Sequence, residues 1–109
     1  MAAIKKVMVT GATAGFGKAT AEIFAENGHD LIITGRRERR LLNLKKRLEA
    51  EYKIEVKELC FDVRNEEEVN EVLSLLPKKW QKIDVLVNNA GLAAGLDTIQ
   101  DGDVEDWNR

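Results

Sequence analysis

Four short apolar runs recur along the chain, and each is followed by residues typical of turns. The runs are rich in Val, Ile and Leu and occupy residues 4–10, 30–35, 54–62 and 83–89. Short apolar segments bounded by turn residues are typical of buried strands. The pattern therefore predicts four β-strands.

The stretches between these runs have helical spacing and occupy residues 15–27, 37–52 and 65–76. Apolar side chains recur three or four positions apart on one stripe of each predicted helix: Phe16, Ala19 and Ile23; Leu41, Leu44, Leu48 and Tyr52; Val69, Val72, Leu73 and Leu76. Asn65 is a suitable N-cap for the third helix, with Glu68 in the position of a capping box. Gly28 is a suitable C-terminal stop for the first helix.

Strands that alternate with helices at this spacing predict βαβ units. The expected fold is therefore α/β, with a parallel sheet covered by helices on both faces. After the fourth strand a further helix is expected near Asp103, with Glu105 and Asp106 in its first turn. A length of 109 residues suits one domain or a piece of a larger one.

Charge and cysteine content narrow the classes of function. The 17 basic and 19 acidic residues are well mixed, and the net charge of −2 provides no overall field for nucleic acid or an anionic membrane. Cys60 is the only cysteine, so no internal disulfide is expected. The first residues contain too short an apolar run for a signal peptide or a membrane span. A cytoplasmic location is the natural expectation.

Three glycines, Gly11, Gly15 and Gly17, lie where the first predicted strand turns into the first helix. Glycine permits unusual backbone angles and close approach of a ligand, and a helix N-terminus attracts phosphate. The segment predicts a phosphate or pyrophosphate site, although a glycine-rich turn also serves simply to join strand to helix. The phosphate loop of nucleotide hydrolases is a weaker match, because Ala12 and Ala19 replace its first glycine and its magnesium-binding hydroxyl.

The end of the second strand indicates which dinucleotide is preferred. NAD-binding folds place an acidic residue there to bind the adenosine ribose, whereas this chain has Gly35 followed by Arg36 and Arg37. Guanidinium groups bind a phosphate through paired hydrogen bonds, so the prediction is NADP rather than NAD. The alternative is that both arginines belong to the solvated basic run of the second helix, as we expect for Arg39 and Arg40. A nucleic-acid patch is disfavoured because the run has no interleaved aromatic residues.

Two further motifs complete a resemblance to the short-chain dehydrogenase/reductase family. The first turn matches its T-G-x-x-x-G-x-G pattern, the third strand ends in an Asp-Val pair, and the fourth ends in N-N-A-G. The resemblance implies a Rossmann-type doubly wound sheet with strand order 3-2-1-4. It also implies an NADP(H) site made by Thr10, Gly11, Ala12, Thr13, Ala14, Gly15, Phe16, Gly17, Arg36, Arg37, Asp62, Val63, Asn88, Asn89, Ala90 and Gly91.

Within that family, Asp62 and Val63 would border the adenine, and the N-N-A-G segment would lie at the cofactor's ribose. The alternative for Asp62 and Val63 is a simple turn into the third helix. The whole chain resembles the branch that oxidises serine and other 3-hydroxy acids with NADP, which implies hydride transfer on a small hydroxyl or carbonyl substrate in a homo-oligomer.

The catalytic residues of the resembled family are not found in this sequence. That family uses a serine, a tyrosine and a lysine four residues after the tyrosine, with an asparagine that supports a water relay. Here the only tyrosine, Tyr52, is followed at that spacing by Val56, the only serine is Ser74, and Asn108 comes too early for the relay. We therefore expect residues 1–109 to be the cofactor-binding half of a Rossmann-fold domain without its catalytic half.

Such a half would be inactive alone and would leave the fourth strand as an apolar edge. A non-catalytic NADP-binding module or sensor is the alternative.

Overall fold

Four parallel strands and three helices alternate along the chain. The computed structural model describes residues 4–13, 15–62 and 65–89. Its elements are β1 (Lys6–Thr10), α1 (Gly15–Glu26), β2 (Asp30–Gly35), α2 (Glu38–Tyr52), β3 (Val56–Cys60), α3 (Glu66–Ser74), a 3₁₀ helix (Lys78–Trp80) and β4 (Val85–Asn88). Every predicted strand and helix within the described residues is present, and the 3₁₀ helix was not predicted. The helix expected near Asp103 lies outside the described residues.

The strands are ordered β3-β2-β1-β4, and all three neighbouring pairs are parallel. The chain runs outward from β1 through β2 to β3 and then returns to add β4 on the other side of β1. This is the order 3-2-1-4 predicted from the resemblance. In such sheets ligands bind at the carboxyl ends of the strands, at the point where the strand order reverses. Here that point lies between β1 and β4.

Alternate strand residues face two separate cores, so both faces of the sheet are covered. Val7, Val9, Leu31 and Ile33 pack with the buried side chains of α1 and α2. Met8, Ile32 and Leu86 pack on the opposite face with α3 and with Trp80 of the 3₁₀ helix. Burial on both faces explains why β1 and β2 contain continuous apolar runs rather than alternating apolar and polar residues.

The predicted apolar stripe of α1 is wrong. The buried residues of this helix are Gly17, Ala21 and Ala25, while Phe16 is 86% exposed and Ile23 is 59% exposed. Ala19 is also exposed. Small side chains let α1 lie close against the sheet and the preceding turn, so the stripe of large residues points away from the core.

The other two predicted stripes are confirmed. In α2, Leu41, Leu44 and Leu48 are buried, with Tyr52 packed at the edge of the same core. In α3 and the turn after it, Val69, Leu73 and Leu76 are buried and Val72 is partly buried.

The N-terminus of α3 is capped as predicted, but its capping box is incomplete. The Asn65 side chain accepts a hydrogen bond from the Glu68 amide at 3.0 Å. The Glu68 carboxylate accepts from the amide of Asp62 at 3.2 Å rather than from that of Asn65, which donates to the Asp62 carbonyl. The carboxylate therefore fixes the loop after β3 as well as the helix.

Within the described residues, none of the helices is long and apolar enough to cross a membrane. The same residues contain no cluster of His, Cys, Asp or Glu suited to a metal ion.

Candidate functional site

The turn between β1 and α1 has a backbone that favours glycine. Gly11 and Gly15 have φ angles of 61° and 55°, in the left-handed region that other residues rarely adopt. α1 begins at Gly15, so the first amides of the helix lack intrahelical acceptors and carry its partial positive charge. The turn therefore offers backbone donors to an anion.

Gly17 allows α1 to pack directly on this turn. A Cβ atom at position 17 would lie 1.9 Å from the Gly11 carbonyl oxygen, well inside any permitted contact. The buried Ala12 joins the turn to the sheet, since its amide donates to the Thr34 carbonyl at 2.9 Å. The helix N-terminus is therefore held rigidly at the carboxyl ends of β1 and β2.

Thr13 occupies the space beside the end of β2. A Cβ atom at Gly35 would lie 3.3 Å from Thr13 Cγ2 and 3.4 Å from Thr13 Oγ1. An acidic side chain at position 35 would compete with Thr13 for this space. The structure therefore has a hydroxyl near the position where NAD-binding folds carry a carboxylate.

Arg36 and Arg37 follow Gly35 and are both exposed. Arg37 is the N-cap residue of α2, and its side chain makes no capping hydrogen bond. Across the described parts of the chain, no carboxylate forms an ion pair with either guanidinium. Both groups are therefore available to an anionic ligand.

The carboxyl ends of β1 and β4 are joined by polar side chains. Thr10 is fully buried and pairs in register with Asn88. Its hydroxyl lies 3.2 Å from Asn88 Oδ1 and 3.4 Å from the Val87 carbonyl. Asn89 follows in an exposed turn. The Asn88 side chain and Thr10 thus link these two neighbouring strands at their carboxyl ends.

Asp62 lies just beyond β3 and is half-buried. The amide of Phe61 donates to the Gly35 carbonyl at 3.0 Å, which holds this loop beside the end of β2. The sheet therefore brings the turn residues, Arg36, Asp62 and Asn88 to its carboxyl edge. The predicted site residues Ala14, Val63, Ala90 and Gly91 lie outside the described residues.

A groove between α1 and α2 contains functional candidates that the sequence interpretation missed. Its volume is about 390 Å³, and it is lined by Thr13, Lys18, Arg40, Asn43, Leu44 and Arg47. The α2 residues recur at i, i+3, i+4 and i+7, the spacing of one helix face. The polar members of this face, Arg40, Asn43 and Arg47, were the available signal in the sequence, but only the packed helices show that they face Lys18.

Tyr52 and Ser74 lie away from the carboxyl edge of the sheet. α2 and α3 each begin after the carboxyl end of a strand, so the C-terminal ends of both helices lie toward the opposite edge of the sheet. The Tyr52 hydroxyl donates to Glu22 at 2.9 Å, and the Ser74 hydroxyl donates to the Glu71 carbonyl at 2.8 Å.

The carboxylates near Tyr52 also oppose its use as a base. Glu51 and Glu22 raise the pKa of the Tyr52 hydroxyl, whereas a general base at neutral pH needs a lowered value. Arg47 donates to both Glu22 oxygens at 3.0 and 3.1 Å and, together with Tyr52, lowers the pKa of Glu22. This cluster joins α1 to α2.

Comparisons with known proteins agree with this fold. The family model for short chain dehydrogenase matches residues 5–109. The chain is 52% identical over 101 residues to an NADP-dependent 3-hydroxy acid dehydrogenase of Salmonella typhi, covering 93% of this chain and 39% of that protein. The chain thus spans about two-fifths of the length of the curated relatives it matches.

Solved structures give the same result. L-sorbose reductase from Gluconobacter frateurii, complexed with NADPH and L-sorbose, superposes with a TM-score of 0.75 at 32% identity, over 82% of this chain and 34% of that one. Serine dehydrogenase from Escherichia coli superposes with a TM-score of 0.67 at 49% identity, over 81% and 39% of the two chains.

Proposed function

Given that the chain belongs to the short chain dehydrogenase family, we propose that it forms the NADP(H)-binding part of an oxidoreductase. The reaction proposed for the complete protein is hydride transfer between NADP and a small hydroxyl or carbonyl substrate. When bound, the nicotinamide supplies or accepts the hydride. The residues described above bind and orient the cofactor.

One observation carries the preference for NADP. Gly35 leaves the end of β2 without a carboxylate, Thr13 stands beside it, and Arg36 follows with an unpaired guanidinium in the described structure. A carboxylate would repel a 2′-phosphate, whereas a hydroxyl and a guanidinium both donate hydrogen bonds to it. The names of the relatives, among them an NADP-dependent dehydrogenase and a reductase bound to NADPH, support the same cofactor.

The remainder of the site fits the other parts of a dinucleotide. The amides at the start of α1 suit a pyrophosphate. The role proposed for Asp62, which lies just beyond β3, is contact with the adenine. The Thr10–Asn88 pair fixes the carboxyl ends of β1 and β4, and Asn89 follows directly after β4.

The proposed substrate is a 3-hydroxy acid such as serine. Support comes from the 3-hydroxy acid dehydrogenase and the serine dehydrogenase among the relatives. We assign no catalytic role to Tyr52 or Ser74, because both lie toward the other edge of the sheet and neither belongs to a Y-x-x-x-K motif. The proposal therefore places the catalytic serine, tyrosine and lysine beyond these 109 residues. The proposal also includes a cytoplasmic location, supported by the free Cys60, and a homo-oligomeric state, supported by the family resemblance.

The proposal is tested by calorimetric titration of the protein with NADPH and NADH. We expect the protein to bind NADPH more tightly than NADH. Arg36→Ala should reduce the ratio of these two affinities by about tenfold, since a hydrogen bond to a charged group contributes about 1.5–3 kcal/mol. Arg39→Ala is the control, because Arg39 is an exposed arginine three residues further along the chain, in the first turn of α2. Equal affinity of the unmodified protein for both cofactors would contradict the proposal.

A non-catalytic NADP-binding module is the second candidate, favoured by the missing Y-x-x-x-K motif. Both candidates bind NADPH, so binding does not separate them. Reduction of NADP in the presence of serine, measured at 340 nm on the protein that the complete gene encodes, separates them. Tight NADPH binding without any turnover across hydroxy acids would favour the module.

A further inference from the structure

The groove between α1 and α2 has two walls of different origin. Lys18 projects from α1, directly after the glycine turn, and Arg40 and Asn43 line the facing side from α2. The groove measures about 390 Å³, enough space for a phosphate group and the water around it. Arg40 is exposed, as expected for the solvated surface of α2, and it also lines this wall of the groove.

The positive charges in the groove are unequally compensated. Arg47 is paired with Glu22 through two hydrogen bonds and lies 3.5 Å from Glu51. By contrast, Lys18 and Arg40 form no ion pair with any residue in the described ranges. Lys18 also attracts Glu22 at longer range and contributes to the lowered pKa of that carboxylate. The groove therefore holds one cation on each wall that no ion pair within the described ranges engages, an arrangement that favours an anion of two charges.

Thr13 connects this groove to the cofactor site. The same side chain lines the groove and lies 3.3–3.4 Å from the position of a Cβ atom on Gly35. Position 35 is where NAD-binding folds hold the adenosine ribose through a carboxylate. The groove thus opens beside the expected position of the ribose 2′ oxygen, and glycine at position 35 keeps a repelling carboxylate away from it.

We propose that Lys18 and Arg40 are specificity-determining residues that bind the 2′-phosphate of NADP at the mouth of this groove, with Thr13 and Asn43 as neutral hydrogen-bond partners. The inference rests on the proposed function, because it assumes an adenosine ribose at the end of β2. It adds to Arg36 two residues from opposite walls of the groove. The 2′-phosphate is then held by cations from both helices as well as by the arginines that follow β2.

The test uses the complete protein and the variants Lys18→Gln, Arg40→Gln and the double variant. Each is titrated with NADPH, NADH, 2′,5′-ADP, 5′-AMP and inorganic phosphate. The matched controls are Lys46→Gln and Arg39→Gln, which remove the same charges at exposed positions of α2 that do not line the groove.

We expect each groove substitution to weaken NADPH and 2′,5′-ADP binding about tenfold, and the pair about a hundredfold, as for loss of one charged hydrogen bond each. Affinities for NADH and 5′-AMP should stay within about twofold of the unmodified protein, which also shows that the variants are folded. The two control variants should retain their preference for NADPH.

Three results would overturn the inference. The first is NADPH affinity in the double variant equal to that in the controls, with the preference of the unmodified protein for NADPH intact; the proposed function would then survive alone. The second is weaker binding of inorganic phosphate without weaker binding of 2′,5′-ADP, which would mean that the groove binds a free anion. The third is no preference for NADPH in the unmodified protein, which would remove the proposed function as well.

Discussion

Replacing Gly17 with alanine tests the packing that positions the start of α1. The added Cβ atom would lie 1.9 Å from the Gly11 carbonyl oxygen and 2.7 Å from its carbon. Both are backbone atoms, so no side chain can rotate away. The contact is about 1.5 Å shorter than ordinary van der Waals distance, and relief requires the helix to move away from the turn.

Two energetic costs follow from that movement. Overpacking of this kind costs about 1–3 kcal/mol of folding stability. The amides of the first helical turn also move away from the expected pyrophosphate, and losing one hydrogen bond to a charged group costs about 1.5–3 kcal/mol. The second cost corresponds to a loss of about 10- to 150-fold in cofactor affinity.

NADPH titration by fluorescence measures the affinity, and thermal unfolding of the same samples measures the stability. Gly28→Ala is the matched control, since Gly28 lies just after the other end of α1, has a φ of +85° and would meet no atom within 4 Å. We expect it to lose about 1 kcal/mol of stability without losing NADPH affinity. Unchanged affinity and unfolding temperature in Gly17→Ala would refute the reasoning.

Three other predictions concern stability, each measured by urea unfolding. Thr34→Val should raise the free energy of unfolding by about 1 kcal/mol, because the buried Thr34 hydroxyl has no hydrogen-bond partner among the residues that the structure describes. Thr10→Val removes a hydrogen-bonded hydroxyl and should lower the free energy of unfolding. Equal effects of the two substitutions would contradict the assignment. Arg47 and Tyr52 hold the pKa of Glu22 below its ordinary 4.5, so this carboxylate stabilises the fold above pH 4.5 and the contribution is lost as pH falls through the folded pKa. In the Glu22→Gln variant, the free energy of unfolding should therefore fall less steeply as the pH is lowered below 4.5. The same slope in the variant and the unmodified protein would contradict this role of Glu22. Asn65→Ala should cost about 1 kcal/mol by removing the cap of α3, whereas Asn70→Ala, on the exposed face of the same helix, should not.

The positions of strands and helices followed from local pattern. Apolar runs bounded by turn residues located all four strands, and the capping residue Asn65 located the start of α3. These features depend on neighbours a few residues apart, which the sequence shows directly. The strand order needed the family resemblance as well, because periodicity alone does not say which strands pair.

The packing of α1 could not be predicted in the same way. Periodicity favours large apolar residues as the core face, and by that rule Phe16 and Ile23 should be buried. The tight docking of α1 on the turn requires small residues instead, so Ala21 and Ala25 face the sheet. The distance between α1 and the sheet decides which side chains fit between them. That distance is a property of the folded chain and is not visible in the sequence.

By itself the sequence determined the alternation of strands and helices, the glycine turn and the absence of an acid at the last position of β2, since each depends on residues adjacent in the chain. Only the tertiary structure decided that Lys18 and Arg40 face one groove and that Glu22 joins Arg47 to Tyr52. These residues are 22 to 30 positions apart. Helix packing alone brings them within the few ångströms over which charges and hydrogen bonds act.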